Sequence, residues 1–289
     1  MSASGAPAWF TNALAAPVEE AVVEVEGCDI HYRTWGPEDS PGVVMVHGGA
    51  ANSRWWDHIA PMLSKEYRIA AIDLSGHGDS GRRSEYGISV WAREVVRVAS
   101  AAQISGPPLL VGHSMGGWVV LTVGAETDTE LSGVVVIDSP LLEIPPEQQA
   151  ALNRAAFGPL RVYPTADEAV LHFRPVPNQP NALPYVMDHI GRESIRPVDG
   201  GWSWKFDSSV FGMLPRKEVL SEITSRVALL RPEFGLITEE ISRNMYELLG
   251  RAAPVVEIPL AGHHVMLDQP ILLITCLRTL LADWEHSLP

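Results

Sequence analysis

The sequence predicts an α/β chain in which a mostly parallel sheet is flanked by helices and interrupted by an inserted cap. Short β-branched runs alternate with longer helical patterns, the signature of strands joined by crossover helices. The run Val134–Ile137 is apolar without a break, as in a strand buried on both faces. From Pro140 to about Pro215 the rhythm stops, prolines cluster and the apolar runs shorten. A length of 289 residues fits one large domain or one domain with an insertion. The division is therefore a core at 1–139 and 216–289 and an inserted cap at 140–215.

In chain order, Ala21–Glu26 and Asp29–Trp35 read as two strands joined around Gly27, an antiparallel start. Gly42–Val46 is a compact apolar strand, Trp55–Leu63 has helical spacing, and Tyr67–Ile72 is again a strand. Ser89–Ala102 is amphipathic and helical; Leu109–Gly112 is a strand that turns into a helix at Gly116–Gly124. Within the cap, Thr165 with Glu168 three residues on is a capping-box helix start. Trp202, Trp204 and Phe206 then alternate with Ser203 and Lys205; a linker would not carry so many aromatics. The strand–helix rhythm resumes with Arg226–Leu230, Thr238–Leu249, Pro254–Ile258 and a closing helix from Gln269 to about Trp284.

Composition excludes several functions. Hydrophobic residues make up 46% and charged residues 19%, enough for a sizeable core. A formal net charge of −14, with no Lys/Arg run to reverse it locally, repels phosphate backbones and argues against nucleic acid as a partner. Two cysteines, Cys28 and Cys276, make no disulfide framework and point to a reducing cytoplasm. The first twenty residues lack a basic n-region and no apolar run reaches spanning length, so neither a signal peptide nor a membrane span is expected. Trp9–Phe10 is expected to pack back on the protein's own surface. The oligomeric state, monomer or homodimer, is open at this point.

The chemistry concentrates in three loops. Gly112-His113-Ser114-Met115-Gly116 is G-x-S-x-G directly after an apolar strand and before a helix. There a serine is held on a strained turn with its hydroxyl exposed, and side chains at Gly112 and Gly116 would clash with neighbouring backbone. A serine needs a base. Gly262-His263-His264 lies between the last strand and the last helix, over the carboxyl edge of the sheet, and His263 directly follows the glycine that lets the loop approach. His47-Gly48-Gly49-Ala50 follows an early strand and exposes backbone N–H groups suited to an oxyanion. One donor is assigned to Gly49, with Ala50 as the alternative, and the other to Met115.

Taken in order, His47–Gly49, Asp73–Ser80 (D-x-x-G-x-G-x-S), Gly112–Gly117 (GHSMGG) and Gly262–Pro270 (GHHVMLDQP) resemble the α/β-hydrolase family over nearly the whole chain outside the cap. The resemblance implies an eight-stranded sheet with an antiparallel second strand, a Ser–His–acid triad and a cap inserted after the sixth strand. The family's usual acid follows the seventh strand, but this chain reads Arg231-Pro-Glu233-Phe-Gly235-Leu, with Gly235 where the aspartate would stand. The alternative place is the end of the sixth strand, here Asp138. An aspartate closing an apolar strand needs a partner, so Asp138 is favoured over Glu233.

Gly76-His77-Gly78-Asp79-Ser80-Gly81 matches a dinucleotide fingerprint to the letter, but it follows neither the first strand nor opens a helix. Asp73 and His77 are read as fixing that loop. No cofactor and no metal are expected, since there is no H-E-x-x-H or Cys/His cluster in the sequence. Trp202 and Trp204 are read equally as pocket-lining or as cap packing, and Lys205 as a solvated side chain. The expected reaction is hydrolysis of a carboxylic ester or lactone of a small, partly apolar substrate by Ser114, His263 and Asp138. Two alternatives use the same residues: C–C bond hydrolysis of a vinylogous diketone, and a ligand-sensing protein that keeps the triad.

Overall fold

The computed structural model describes residues 5–141, 160–211 and 218–286, together with Glu147 and Arg216. Helix α1 (Ala8–Leu14) precedes the antiparallel pair β1 (Glu19–Val25) and β2 (Cys28–Trp35), which turn on Gly27 at φ 76°. Then follow β3 (Gly42–Val46), a 3-10 turn (Ser53–Trp56), α2 (Ala60–Leu63), β4 (Arg68–Ile72), α3 (Ile88–Ala101), β5 (Leu109–His113), α4 (Met115–Glu126) and β6 (Gly133–Ile137). Between β6 and the next core strand lie α5 (Ala166–Leu171), α6 (Pro184–Glu193) and the hairpin β7 (Ile195–Val198) and β8 (Gly201–Trp204). The chain closes with α7 (Val219–Glu222), β9 (Val227–Phe234), α8 (Glu239–Leu248), β10 (Val255–Gly262), α9 (Val265–Asp268) and α10 (Pro270–His286).

Eight strands form one sheet in the order β1-β2-β4-β3-β5-β6-β9-β10. β2 is antiparallel to both neighbours, and every pairing from β4 to β10 is parallel. Side chains alternate across it with a period of two. Val44, Val46, Ala70, Ile72, Leu110, Val134 and Val136 pack on one face with α3 and α4. Val43, Met45, Ile69, Ala71, Val111, Val135 and Ile137 pack on the other with α10. Both faces are covered, which is why the central strands read as continuous apolar runs.

Three local readings change. The segment 55–63 is split, because the Asn52 side chain caps the 3-10 turn by accepting from Arg54 N, and α2 then restarts with Pro61 in its first turn, where no N–H is needed. The last strand runs past Ile258 to Gly262 through a register shift at Leu260, whose φ of 58° breaks the alternation. Lys205 is not a solvated side chain: its Nζ lies 2.9 Å from Asp79 Oδ1, joining β8's end to the loop after β4. Gly78 N donates to Lys205 O beside it at 2.7 Å. Phe10 packs inward as expected, edge-on to Tyr185 at 4.8 Å between ring centres. The proline pair Pro145–Pro146 and the cap's boundary at 215 lie outside the described residues.

Buried His58 ties the approach to α2 to a segment 208 positions on, its Nε2–H donating to Met266 O in α9 at 2.8 Å. Burial pushes its pKa down to about 4, so the native ring is neutral while the unfolded ring takes a proton below about 6.5. The folded-state value is depressed, so this contribution is complete above pH 6.5 and is lost as pH falls towards 4. By pH 4.5 the loss from this ring is about 2–3 kcal/mol. Urea unfolding at pH 7.5 and 4.5 checks this: the stability gap between wild type and His58→Gln, which retains a donor for Met266 O, should narrow by that amount. An unchanged gap would refute it.

Candidate active site

Ser114 sits where β5 ends and α4 begins, at φ 53° and ψ −121°, a conformation L-residues avoid. Its N–H donates to Ile137 O at 2.9 Å, one step beyond the β5–β6 ladder, and Gly117 N donates to Ser114 O at 2.9 Å. Glycines make this turn possible by close approach. A Cβ on Gly112 would lie 2.3 Å from Gly116 O, and one on Gly116 would lie 2.4 Å from Val46 O. Those two positions behave as the sequence predicts.

Asp138 occupies the same level one strand over. It follows β6 at φ 47°, its N–H donates to Leu230 O at 3.1 Å, and it is fully buried. Its Oδ2 accepts from His263 Nδ1 at 2.7 Å and from Leu236 N at 2.8 Å; its Oδ1 accepts from Ile237 N at 2.9 Å. The carboxylate therefore lies in the turn after β9, and a Cβ on Gly235 would stand 2.5 Å from Oδ2 and 2.6 Å from Oδ1. The glycine that replaces the usual acid is the one that admits this carboxylate. Glu233, by contrast, is exposed, and its Oε2 accepts from Leu260 N at 2.8 Å.

His263 is buried, with Nδ1 tied to Asp138 and Nε2 free of hydrogen bonds among the described residues. Its backbone carbonyl accepts from His113 Nε2 at 2.9 Å, so the residue before Ser114 is fastened directly to the loop that carries the imidazole. Burial, and next the proximity of His263, holds His113 well below the ordinary histidine range; the same two causes act on His264. Both rings are thus neutral.

The glycine loop after β3 closes the third side. His47 donates from Nδ1 to Gly48 O at 2.7 Å and accepts from Leu74 N on Nε2 at 3.1 Å. A Cβ on Gly48 would stand 3.2 Å from Ser114 Cβ, and one on Gly49 would stand 3.2 Å from Phe211 Cε1 and 3.8 Å from Met115 Sδ. Gly49 thus lies beside Met115, the residue after the serine. The N–H of Gly49 makes no hydrogen bond among the described residues, and that of Met115 belongs to the first turn of α4, where donors have no helical partner.

The loop after β4 supports this arrangement from below. Asp73 Oδ2 accepts from His31 Nδ1 at 2.8 Å and from Asp79 N at 2.9 Å, and Oδ1 accepts from Ser53 N at 2.5 Å. Burial alone would raise this carboxyl; the His31 hydrogen bond and charge, with help from His47 and Asp79 N, hold it well below the usual carboxylate range. His77 lies in the same loop, its ring 4.9 Å from that of His47. The letter-perfect glycine fingerprint is therefore a brace built on Asp73.

Two contributors are invisible in the sequence. Gln179 grips the loop after β10: Nε2 donates to His264 O at 2.9 Å and Oε1 accepts from His264 N at 2.8 Å. Gly262 is glycine because a Cβ there would stand 2.8 Å from Gln179 Cδ. Asp268 Oδ2 accepts from Gly262 N at 2.7 Å, and burial pushes this carboxyl up to about 6 against that bond. The other is Phe211, which faces Gly49. Trp204 instead packs on Tyr163 and Phe173, at 5.8 Å and 6.0 Å between ring centres.

The family model described as "Alpha/beta hydrolase family" matches residues 43–274. A serine hydrolase-like protein of Danio rerio is 24% identical over 91% of this chain and 88% of its own length. A Mycobacterium tuberculosis protein described as an esterase is 25% identical over 93% of each chain. The monoglyceride lipase of Mus musculus is 33% identical over 46% of each. Among solved structures, E-2-(acetamidomethylene)succinate hydrolase superposes with a TM-score of 0.80 at 21% identity, covering 92% of this chain and all of that one. A thioesterase domain from the curacin biosynthetic pathway gives 0.77 at 23%, covering 91% and 99%.

Gly235→Ala is the sharpest test of how the carboxylate is held. The added methyl enters the space of both Asp138 oxygens, which are bonded on three sides and cannot retreat. Turnover should fall at least tenfold, about 1.4 kcal/mol or more in the barrier, while the far-ultraviolet circular dichroism remains that of wild type. Full activity in a folded variant would mean the carboxylate's position does not matter.

Proposed function

The chain belongs to the alpha/beta hydrolase family, and on that premise we propose that it is a serine hydrolase cleaving a carboxylic ester or lactone of a small, partly apolar substrate. The observation that carries the reading is the buried Asp138–His263 pair at 2.7 Å, fastened through His113 to the strained turn of Ser114. Asp138 accepts from Nδ1–H, which fixes the tautomer that leaves a lone pair on Nε2. Ser114 Oγ attacks the acyl carbon as Nε2 takes its proton. The N–H groups of Gly49 and Met115 receive the oxyanion. Collapse expels the alcohol, which leaves with the proton from Nε2. A water deprotonated by the same nitrogen then attacks the acyl-enzyme, releasing the acid and restoring the serine.

Phe211 against Gly49, with Phe206 edge-on to it at 5.7 Å between ring centres, supplies an apolar wall beside the oxyanion site. That wall supports an acyl or alcohol group with apolar surface. The relatives described as an esterase and as monoglyceride lipase point to the same bond type.

A fluorophosphonate probe followed by peptide mapping should label Ser114 and nothing else, with labelling lost in Ser114→Ala. Asp138→Asn should lower kcat on p-nitrophenyl esters by roughly 10⁴-fold, while Glu233→Gln turns over as wild type does. A severe loss in the second variant alone would move the acid to Glu233. Turnover of a vinylogous diketone with none on esters would replace ester hydrolysis by C–C cleavage.

A further inference from the structure

A cavity of about 230 Å³ opens beside the loop after β10, between residues 177–181 and the ends of β9 and β10. Gln179, Gly262, His263 and Asp268 are buried in its lining, while Phe234 and Leu260 are exposed members of it. Ser114, Gly49 and Met115 do not line it, so it is separate from the oxyanion site, although it reaches the same histidine. It has the space of roughly eight waters, enough for one small ring with a polar head.

Three of these residues carry costs that the fold itself does not offset. Leu260 has φ 58°, in the left-handed region where glycine and asparagine are at ease and a leucine is strained. Its side chain gains little burial in return, being 63% exposed, and Phe234, the register partner of Gly262, is 61% exposed. Large apolar side chains left open beside a cavity form the surface that a ligand covers. The third cost is electrostatic. Asp268 is buried and its Oδ2 accepts from Gly262 N at 2.7 Å, but its Oδ1 has no hydrogen-bond partner among the described residues. A carboxylate oxygen in that state lacks the donor that would offset its desolvation. Among the described residues no lysine or arginine lines the cavity, and a net charge of −14 adds to the attraction for a cation.

We propose that this cavity binds a small organic ammonium ion, its N–H donating to Asp268 Oδ1 and its apolar arm lying against Phe234 and Leu260. An ammonium has donors only, which matches an unpartnered acceptor better than a hydroxyl or a carboxylate does. Occupancy also bears on the histidine. His263 becomes an imidazolium while it holds the serine proton, and a second cation in a cavity that it lines opposes that charge. Bound ammonium should therefore lower kcat. That effect rests on the serine-hydrolase reading above; the binding does not.

Titration of the whole protein with benzylammonium at neutral pH tests the site, followed by calorimetry and by the NMR shift of the Gly262 amide. Benzyl alcohol and benzoate, similar in shape, are the controls. The ammonium should bind, the alcohol about tenfold more weakly, and benzoate more weakly still. Asp268→Asn keeps an acceptor for Gly262 N and drops the charge, and it should weaken ammonium binding about tenfold or more. Leu260→Asn, which suits a φ of 58°, should keep the protein folded and weaken binding about threefold. Turnover of p-nitrophenyl esters should fall severalfold at saturating benzylammonium, with the same midpoint as binding. Failure of benzylammonium to bind, equal binding of the alcohol, or wild-type affinity in a folded Asp268→Asn would overturn the site. Binding with kcat unchanged would overturn its effect on His263. Asp268-dependent binding in a protein without ester turnover would leave the site standing and remove the hydrolase reading.

Discussion

A carboxylate with no solvent around it must be surrounded by donors, and around Asp138 that requirement organises three segments far apart in the chain. The side chain reaches from the end of β6 into the turn after β9, where two backbone N–H groups hold it, and from there accepts the His263 ring. Burying the charge unpaired would cost several kcal/mol. What three donors in three directions supply is orientation: the carboxylate has one position, so the imidazole has one position and one tautomer.

The backbone carries a cost for this arrangement. Ser114 at φ 53°, Asp138 at φ 47° and Ala50 at φ 60° each lie in a region that ordinary residues leave, at roughly 1–3 kcal/mol apiece. All three follow the carboxyl ends of neighbouring parallel strands. Burying one valine or isoleucine there contributes a similar amount, about 1.5–3 kcal/mol, and β3, β5 and β6 bury their side chains on both faces. The sheet can thus hold three strained residues at one edge and remain folded. The strain belongs at that edge because there the ladder ends and the next N–H must find a carbonyl on the adjacent strand, as Ser114 N does on Ile137 and Asp138 N does on Leu230.

Legibility followed range. The serine turn is a local feature, its glycines demanded by atoms within a few residues or on the next strand, so G-x-S-x-G could be read from the letters. Asp138 was readable because an aspartate ending an apolar strand is a local anomaly, and Gly235 because a residue was missing from its usual place. Lys205 was misread, since its partner Asp79 lies 126 positions away. Gln179 had no signal: a glutamine between prolines says nothing about a loop 85 positions on. The elements between β6 and β9 were read least well; α6 and β7 carry short, mixed patterns whose burial depends on what they pack against.

The Gln179 clamp changes what the inserted segment is for. Gln179 binds both backbone groups of His264, Val176 O takes the His264 ring, and Leu183 N donates to Leu267 O at 2.8 Å. Asp268 Oδ2 accepts from Gly262 N at the start of the same loop. The loop carrying the imidazole is therefore gripped on one side by the sheet, through Asp138 and the His113 ring, and on the other by the insertion. Any displacement of residues 176–183 must break these bonds or carry His264 with it, and His264 is one peptide bond from His263. The position of residues 176–183 and that of the His263 ring are thus one mechanical variable, with the carboxylate of Asp138 as its fixed end.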